Sequence, residues 1–368
     1  MTAVNWIVAA ILCIFTVRRY VYWLASLLPR RSNAACRTPS MVVLVAARNE
    51  ELGLPRLLAA LERTDYPGDR LSFVLVSDGS VDGTPAIINT WVGRHPRAQA
   101  IILPARRGKG GALQAALEAA PDADLVAVFD ADTMPEPDAL ARLAGAFDDP
   151  AVGAACGYPD PGVTHTSVIA RYAALERWVS HLVMLAGKDR LGLQPPMIGA
   201  LCCIRASALR DVGGFPEATV VEDIHVSMAL TRSGWKTRWI GAAVAREDVP
   251  TDMNGFRQQR LRWSRGMMSA GKKASGMEEL LLAAGYLDRL ALVAGVVLAA
   301  TGNLPVWLPL AYVIAPLVVT ATALVRAGAP NKLGYLCSIA PMAFADIAVT
   351  FEATLSQIAA APLRWERR

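Results

Sequence analysis

Between roughly residues 40 and 155, short apolar runs alternate with amphipathic stretches at the rhythm of βαβ units. The runs are Met41–Ala47, Phe73–Val76, Ala100–Leu103 and Leu125–Phe129, and the amphipathic stretches are Glu51–Arg63, Thr84–Gly93, Gly111–Ala120 and Asp138–Phe147. This pattern predicts an α/β fold with a mostly parallel sheet flanked by helices, because such a sheet needs both faces covered. Ligands in open sheets of this kind bind beyond the carboxyl ends of the strands, where loops and helix N-termini converge. The residues just after each apolar run are therefore the first candidates for chemistry.

Carboxylates, glycines and a lysine gather there. Arg48-Asn49-Glu50-Glu51 follows the first run, and Ser77-Asp78-Gly79-Ser80-Val81-Asp82-Gly83-Thr84 follows the second. Arg106-Arg107-Gly108-Lys109-Gly110-Gly111 comes after the third, and Asp130-Ala131-Asp132 after the fourth. Two carboxylates two residues apart in a turn can share a hard divalent cation that neutralises a diphosphate, which makes Asp130 and Asp132 the metal candidates. The plain alternative is a solvated turn with Asp132 capping the next helix. Asp78 reads either as part of a turn and N-cap with Asp82 and Thr84, or as a carboxylate holding a nucleotide's base or ribose. The glycines around Lys109 permit close approach of a phosphate, with the ammonium as counter-charge and a helix N-terminus behind it. They lack the spacing of an ATP-hydrolysing P-loop.

Two further motifs lie downstream. Glu222-Asp223 opens a helical pattern, where adjacent carboxylates are favoured by the helix dipole. Transfer to a hydroxyl also requires a carboxylate that takes the proton, and this pair offers one. Gln259-Arg260-Leu261-Arg262-Trp263 reads as a cationic interfacial helix with an aromatic anchor, or as a sugar platform at Trp263 with Arg262 against a departing diphosphate.

The apolar content, 54% of 368 residues, leaves room for membrane segments beside one large core. Val4 to Val17 carries no charge, Arg18 and Arg19 interrupt, and Tyr20 to Leu28 continues to Pro29-Arg30-Arg31. The charges follow the apolar run where a signal peptide would have them first, so a retained anchor is expected. Leu290 to Val325 has no ionisable residue and is broken by Thr301-Gly302-Asn303 and Pro305, which suits a hairpin of two short helices. Leu333 to Ala361 is apolar but holds Asp346 and Glu352, which must face protein or water. Arg18, Arg19, Arg30, Arg31 and Arg37, with Lys272, Lys273 and Arg289 before the later segments, place the middle region in the cytoplasm of a multi-pass protein of the cell (inner or plasma) membrane. The expected divisions are a membrane anchor over 1–30, a catalytic domain over 38–275 and membrane or interfacial helices over 286–361. The formal charge of +5 comes with no nucleic-acid motif, so the bilayer rather than nucleic acid is the expected partner. Cysteines 13, 36, 156, 202, 203 and 337 lack zinc or dithiol spacing and read as reduced fillers.

In this order the motifs resemble the inverting glycosyltransferases of family 2, with the GT-A fold, and within them the processive branch of chitin, hyaluronan, cellulose and poly-N-acetylglucosamine synthases. The resemblance covers about residues 40 to 270 and includes Val212-Gly213-Gly214-Phe215 and Met197-Ile198-Gly199, which are similar to the family's acceptor-side segment. It implies a UDP-sugar donor, glucose or N-acetylglucosamine, with Asp78 and the stretch from Ala46 through Ala47 to Glu50 lining the uridine pocket and Lys109 near the nucleotide. Asp130 and Asp132 would bind the diphosphate through Mg2+ or Mn2+. Asp223, beside Glu222, would be the base, and Gln259, Arg262 and Trp263 would hold donor phosphate and acceptor sugar. Ser77 and Val221 stand where many relatives have aspartate and threonine. The acceptor would be a carbohydrate or a lipid-linked or small molecule, and the product a β-glycoside. A nucleotidyltransferase and a non-catalytic membrane subunit are the rival readings.

Overall fold

The computed structural model describes residues 2–29, 38–162, 166–217, 219, 221–271, 280–281 and 288–358. The chain forms two compact units: one gathers residues 1–29, 163–191 and 249–364, the other 30–162, 192–248 and 365–368. Residues 163–191 and 249–271 therefore cluster with the apolar helices and not with the sheet.

The sheet unit carries eight strands: β1 Met41–Ala47, β2 Leu71–Asp78, β3 Ala98–Leu103, β4 Leu125–Asp130, β5 Thr133–Pro135, β6 Val152–Asp160, β7 Leu201–Arg205 and β8 Lys236–Glu247. They lie in the order β3-β2-β1-β4-β7-β6-β8-β5. The first four are parallel, as the βαβ rhythm predicts. From β4 outward the sheet is mixed, with β7 antiparallel to β4 and β6, β8 parallel to β6, and β5 antiparallel to β8.

β1 is Val-rich and buried along its length, because β2 and β4 pair with it on both sides and helices cover both faces. Leu54, Leu57 and Leu61 of the helix Leu54–Leu61 join Leu75 and Phe129 in one core. Truncating any one of these leucines to alanine costs roughly 2–5 kcal/mol.

Element ends differ from the periodicity reading where side chains intervene. β2 and β4 each run on to include the terminal aspartate, Asp78 and Asp130, since backbone pairing with β3 and β1 continues that far. The first helix of the sheet unit begins at Leu54 and not at Glu51, because the Glu50 and Glu51 amides donate to Thr84 Oγ1 and Asp82 Oδ2 at 2.8 and 3.1 Å. The third helix of that unit, Gly108–Ala119, starts three residues before the expected Gly111. Asp132 leads directly into β5 and not into a helix, so it has no helix to cap.

The helical unit contains Ala3–Ser26, Val168–Val179 leading through a π-helical turn at Ser180–Leu185 into Ala186–Arg190, Met253–Gly271, Asp288–Ala300, Trp307–Arg326 and Ile339–Ile358. Three helical spans, Ala3–Ser26, Trp307–Arg326 and Pro330–Gln357, are long and apolar enough to cross a membrane. Asp288–Ala300, at 13 residues, is shorter than a bilayer requires.

Arg18 and Arg19 do not interrupt the first helix. Arg19 donates to Asp288 Oδ2 at 2.9 Å and to the Tyr312 hydroxyl at 2.8 Å, and that hydroxyl in turn donates to Asp288 at 2.5 Å. Asp346 is buried against Arg289 and Arg260, the latter also paired to Glu176, while Glu352 pairs with Arg257. Both acids of the last apolar stretch therefore face protein cations, which is how ionisable groups are accommodated in apolar surroundings. Arg30, Arg31, Cys36, Arg37, Lys272 and Lys273 lie outside the described residues, as does the end of the last apolar stretch from residue 359 to Ala361.

Candidate active site

The loops after β1 and β2 lock into each other. Asn49, at φ 54°, receives the Val81 N–H on Oδ1 at 3.0 Å and donates its own N–H to Ser80 Oγ. Glu51 Oε2 accepts from the Gly83 amide, and Asp82 Oδ1 from the Thr84 amide. The turn after β2 is thus closed by Asp82, and Asp78 serves a different segment.

Asp78, 2% exposed, accepts the backbone N–H groups of Arg107 and Gly108 at 2.6 and 2.9 Å, one on each carboxylate oxygen. It thereby fixes the start of the Gly108–Ala119 helix, whose remaining first-turn amides are the kind that favour an anion. Gly79 is required beside it: its φ is +62°, and a Cβ there would lie 2.6 Å from the Arg106 nitrogen.

Lys109 stands in the first turn of that helix, so its ammonium projects over the ends of the central strands. Nζ is 2.6 Å from Asp130 Oδ1 and 2.8 Å from Glu222 Oε1. Burial by itself would lower the lysine's pKa, but the carboxylates of Asp130, Glu222 and Asp223 outweigh it and hold the ammonium well above its ordinary value. Glu222 and Asp223 open the helix Glu222–Arg232. Asp223 accepts N–H bonds from Gly199 on Oδ2 and from Ile224 on Oδ1, at 2.9 and 2.8 Å. Burial, then the charge of Glu222, push its carboxyl up to about 6, with Lys109 and the two amides working in the opposite direction.

Gly199 is where these groups meet. A Cβ at that position would sit 2.8 Å from Lys109 Nζ and 3.2 Å from Asp223 Oδ2. Residues from four separate stretches, at 109, 130, 199 and 222–223, therefore converge on one point at the carboxyl edge of the sheet.

Asp132 lies on the same edge. A Cβ on Gly53 would be 3.0 Å from Glu50 Oε2 and 3.6 Å from Asp132 Cβ, which places the Glu50 carboxylate beside it. Ala47, the last residue of β1, is buried and lines the core beneath. Among the described residues no group of three acidic, histidine or cysteine side chains is arranged to hold a metal unaided. Asp130 and Asp132 nevertheless fit Mg2+ or Mn2+, because hard cations of this type are held by one or two carboxylates and complete their shell with water and substrate phosphate.

Gln259, Arg262 and Trp263 lie in the helical unit, partly buried on Met253–Gly271. The most enclosed polar residue of that motif is Arg260, 5% exposed, whose guanidinium lies 5.0 Å from the Phe256 ring centroid and 5.3 Å from that of Trp263. Its partner Glu176 lies far away in sequence, so the motif alone gave no signal of its burial. Gln114, also unmarked in the sequence, accepts the Phe215 amide at 2.9 Å and ties the Val212–Phe215 segment to the lysine helix. Ser227 Oγ does the same for Met197 at 2.7 Å. The described cysteines are free thiols.

The mixed sheet with flanking helices gives the chain a GT-A-like fold. The family model described as "Glycosyl transferase family group 2" matches residues 125–345, and the chain belongs to that family. A second model, "Glycosyltransferase family 25, N-terminal domain", matches residues 38–99.

Among curated relatives, "Probable glycosyltransferase YdaM" of Bacillus subtilis is 28% identical over 62% of this chain and 55% of its own. An "N-acetylglucosaminyltransferase" of Mesorhizobium japonicum is 31% identical over 62% and 55%. The "Beta-monoglucosyldiacylglycerol synthase" of Synechocystis is 29% identical over 62% and 48%. The chain spans about half the length of these curated relatives. The solved structure titled "Mannosyltransferase PcManGT from Pyrobaculum calidifontis in complex with GDP-Man and Mn2+" superposes with a TM-score of 0.65 at 21% identity, over 96% of this chain and 100% of the other. That likeness is one of fold.

Proposed function

We propose that this glycosyltransferase is an inverting, membrane-bound enzyme that moves glucose or N-acetylglucosamine from a UDP-sugar to an acceptor hydroxyl. The observation that carries the reading is Asp223: a carboxylate oriented by two amides, with its pKa raised to about 6, next to a lysine shared by Asp130 and Glu222. A general base works best when its pKa lies near the working pH. In the reaction proposed, the acceptor oxygen bonds to the anomeric carbon, the bond from that carbon to the diphosphate oxygen breaks, and Asp223 takes the acceptor's proton. Attack opposite the leaving group turns an α-linked donor into a β-glycoside.

Asp78 fixes the amide-bearing helix start, and Ala47 and Glu50 lie at the strand end beside it, where the nucleotide would be received. Asp130 and Asp132 would hold Mg2+ or Mn2+, which neutralises charge on the departing diphosphate. Gln259, Arg262 and Trp263 would serve donor phosphate and acceptor sugar. The catalytic domain would face the cytoplasm, between the anchor at 1–30 and the helices over 286–361.

Two acceptors fit. A carbohydrate acceptor, with repeated addition, matches the resemblance to the processive synthases and the relatives named as N-acetylglucosaminyltransferases. A lipid acceptor matches the three bilayer-length apolar helical spans and the Synechocystis relative's name. Membranes containing the protein, given a panel of UDP-sugars and GDP-mannose, would be analysed for nucleotide release and product mass. UDP release with a glucosylated or N-acetylglucosaminylated product supports the proposal. Release of GDP from GDP-mannose alone overturns the donor assignment, and release of pyrophosphate when the same membranes are given UTP overturns the transfer reaction itself.

A further inference from the structure

Asp223 is gripped from outside its own helix by a segment that belongs to no helix or strand. Gln194-Pro195-Pro196-Met197-Ile198-Gly199 leads into β7, and its two prolines have no N–H to offer. Their carbonyls are held instead: Thr237 Oγ1 donates to the Pro195 oxygen at 2.7 Å and Cys156 Sγ to that of Pro196 at 3.6 Å. Beyond the prolines, two amides turn to one helix. Met197 donates to Ser227 Oγ at 2.7 Å, and Gly199 donates to Asp223 Oδ2 at 2.9 Å.

Asp223 and Ser227 stand one turn apart on Glu222–Arg232. Four residues of helix advance about 6 Å, and two residues of extended chain about 7 Å, so acceptors at that spacing suit alternate amides of a segment passing alongside. One rung of this ladder is the carboxylate itself; the other is a hydroxyl with no charge to contribute. Ser227 is 5% exposed and Met197 2%, so an amide released at that rung finds no water, and the segment has to shift to pair it.

We propose that Ser227 is a positioning residue for Asp223: by fixing Met197 it holds the Gly199 amide against the carboxylate. The proposal rests on the assignment of Asp223 as the general base. Gly199 lies in a narrow space, since a Cβ there would be 3.2 Å from Asp223 Oδ2 and 2.8 Å from Lys109 Nζ, so movement of the segment reaches the base directly. The Gly199 amide also favours the charged carboxylate, and losing it moves the Asp223 carboxyl further up. The other groups facing this carboxylate are Glu222 on its own helix, Lys109 on Gly108–Ala119 and the Cys202 thiol on β7, which burial keeps protonated. A substitution at 227 removes none of them.

Two measurements on the full chain in detergent test the role, and the first needs no donor. Hydrogen exchange at residue resolution should show the Gly199 amide of Ser227→Ala exchanging about tenfold faster than that of the wild type, or more. The Ile224 amide, bonded to the other carboxylate oxygen from within the helix, should keep its rate. Ser227→Thr, which retains the hydroxyl, should restore wild-type exchange at Gly199. The second measurement is the pH profile of UDP release from UDP-glucose or UDP-N-acetylglucosamine. The acidic limb of Ser227→Ala should move up by about half a unit to one unit, and kcat on the plateau should fall roughly tenfold with the donor KM unchanged. Thr237→Val loosens the same segment at Pro195 and should leave the limb in place. Unchanged Gly199 exchange in Ser227→Ala overturns the proposal, whether or not transfer is observed. So does a limb that moves as far in Thr237→Val, because the effect then belongs to the segment as a whole. Asp223→Asn separates the two levels. If the limb vanishes in that variant but stays in place in Ser227→Ala, the base stands and the positioning role falls. If the limb persists in Asp223→Asn, the assignment of the base itself falls.

Discussion

The Asp223 carboxylate accepts the Gly199 amide at 2.9 Å, a bond that spans 24 residues and ties the start of one helix to the segment leading into β7. With the Ile224 amide on the other oxygen, it leaves the carboxylate little rotational choice. Asparagine at this position can keep one of these bonds but cannot take a proton. Asp223→Asn should therefore lower kcat by about 10²- to 10⁴-fold, the usual contribution of a general base. UDP affinity should change by less than about threefold, because a base acts in the transition state. Single-turnover transfer and calorimetric UDP binding measure the two. Wild-type turnover in this variant would remove Asp223 from the role.

The pH profile gives a second check. Burial and Glu222 raise the Asp223 carboxyl to about 6, and the base form is present only above that value. Transfer should be flat from about pH 7 upward and fall about tenfold per unit below pH 6. A carboxylate with its ordinary pKa near 4 would leave activity unchanged down to pH 5. The whole acidic limb should vanish in Asp223→Asn.

Gly199→Ala probes the crowding directly. The added methyl would meet Lys109 Nζ at 2.8 Å and Asp223 Oδ2 at 3.2 Å, so one of these side chains must shift. Displacements on the scale of an ångström cost roughly tenfold to a hundredfold in rate when the group is catalytic. The expected result is a loss of that size in kcat with an unchanged thermal midpoint. An alanine variant with full activity would show that neither side chain needs its observed position.

Chelation tests the metal. Excess EDTA should abolish transfer, and added Mn2+ or Mg2+ should restore it; Asp132→Asn should require at least tenfold more metal for half-maximal rate. Full activity in excess EDTA would rule out a cation at Asp130 and Asp132.

The helical unit makes its own forecast. Asp346 is buried against Arg289 and Arg260, so Asp346→Ala leaves these arginines only Asp288 and Glu176 and should cost roughly 3 kcal/mol. Arg257→Ala breaks a pair whose side chains are 47% and 42% exposed and should cost only about 0–1 kcal/mol. Thermal unfolding in detergent compares the two. Equal midpoints would mean that the buried network does not contribute to the unit's stability.

The parallel half of the sheet was legible because β1 to β4 are contiguous apolar runs separated by amphipathic helices, a purely local signal. β6, β7 and β8 were not, since Gly153, Gly157 and Pro159 dilute the pattern of β6, and their partners are set by pairing across the sheet. For the site, residue type and position marked the candidates, after a strand for Asp78, Lys109, Asp130 and Asp132 and at a helix start for Glu222 and Asp223. Which acid Lys109 would meet was not readable, because Asp130 and Glu222 are brought to it by tertiary contacts. The same holds for Arg260: within a run of basic residues nothing distinguishes the buried arginine until Glu176 and Asp346 are placed beside it. The interruption foreseen at Arg18 and Arg19 reflects the same limit, since partners at Asp288 and Tyr312 lie more than 260 residues along the chain.

Those partners give the first helix a significance beyond tethering. Asn5 donates to the Asn303 carbonyl, Arg19 reaches Asp288 and Tyr312, and Trp23 donates to Thr322, so the opening 26 residues are stitched to the late helices at three depths. Clipping that segment to obtain a soluble enzyme would take from Asp288 and Tyr312 the arginine they share inside the bundle. The two ends of the polypeptide have to be inherited, exchanged or engineered as a matched set.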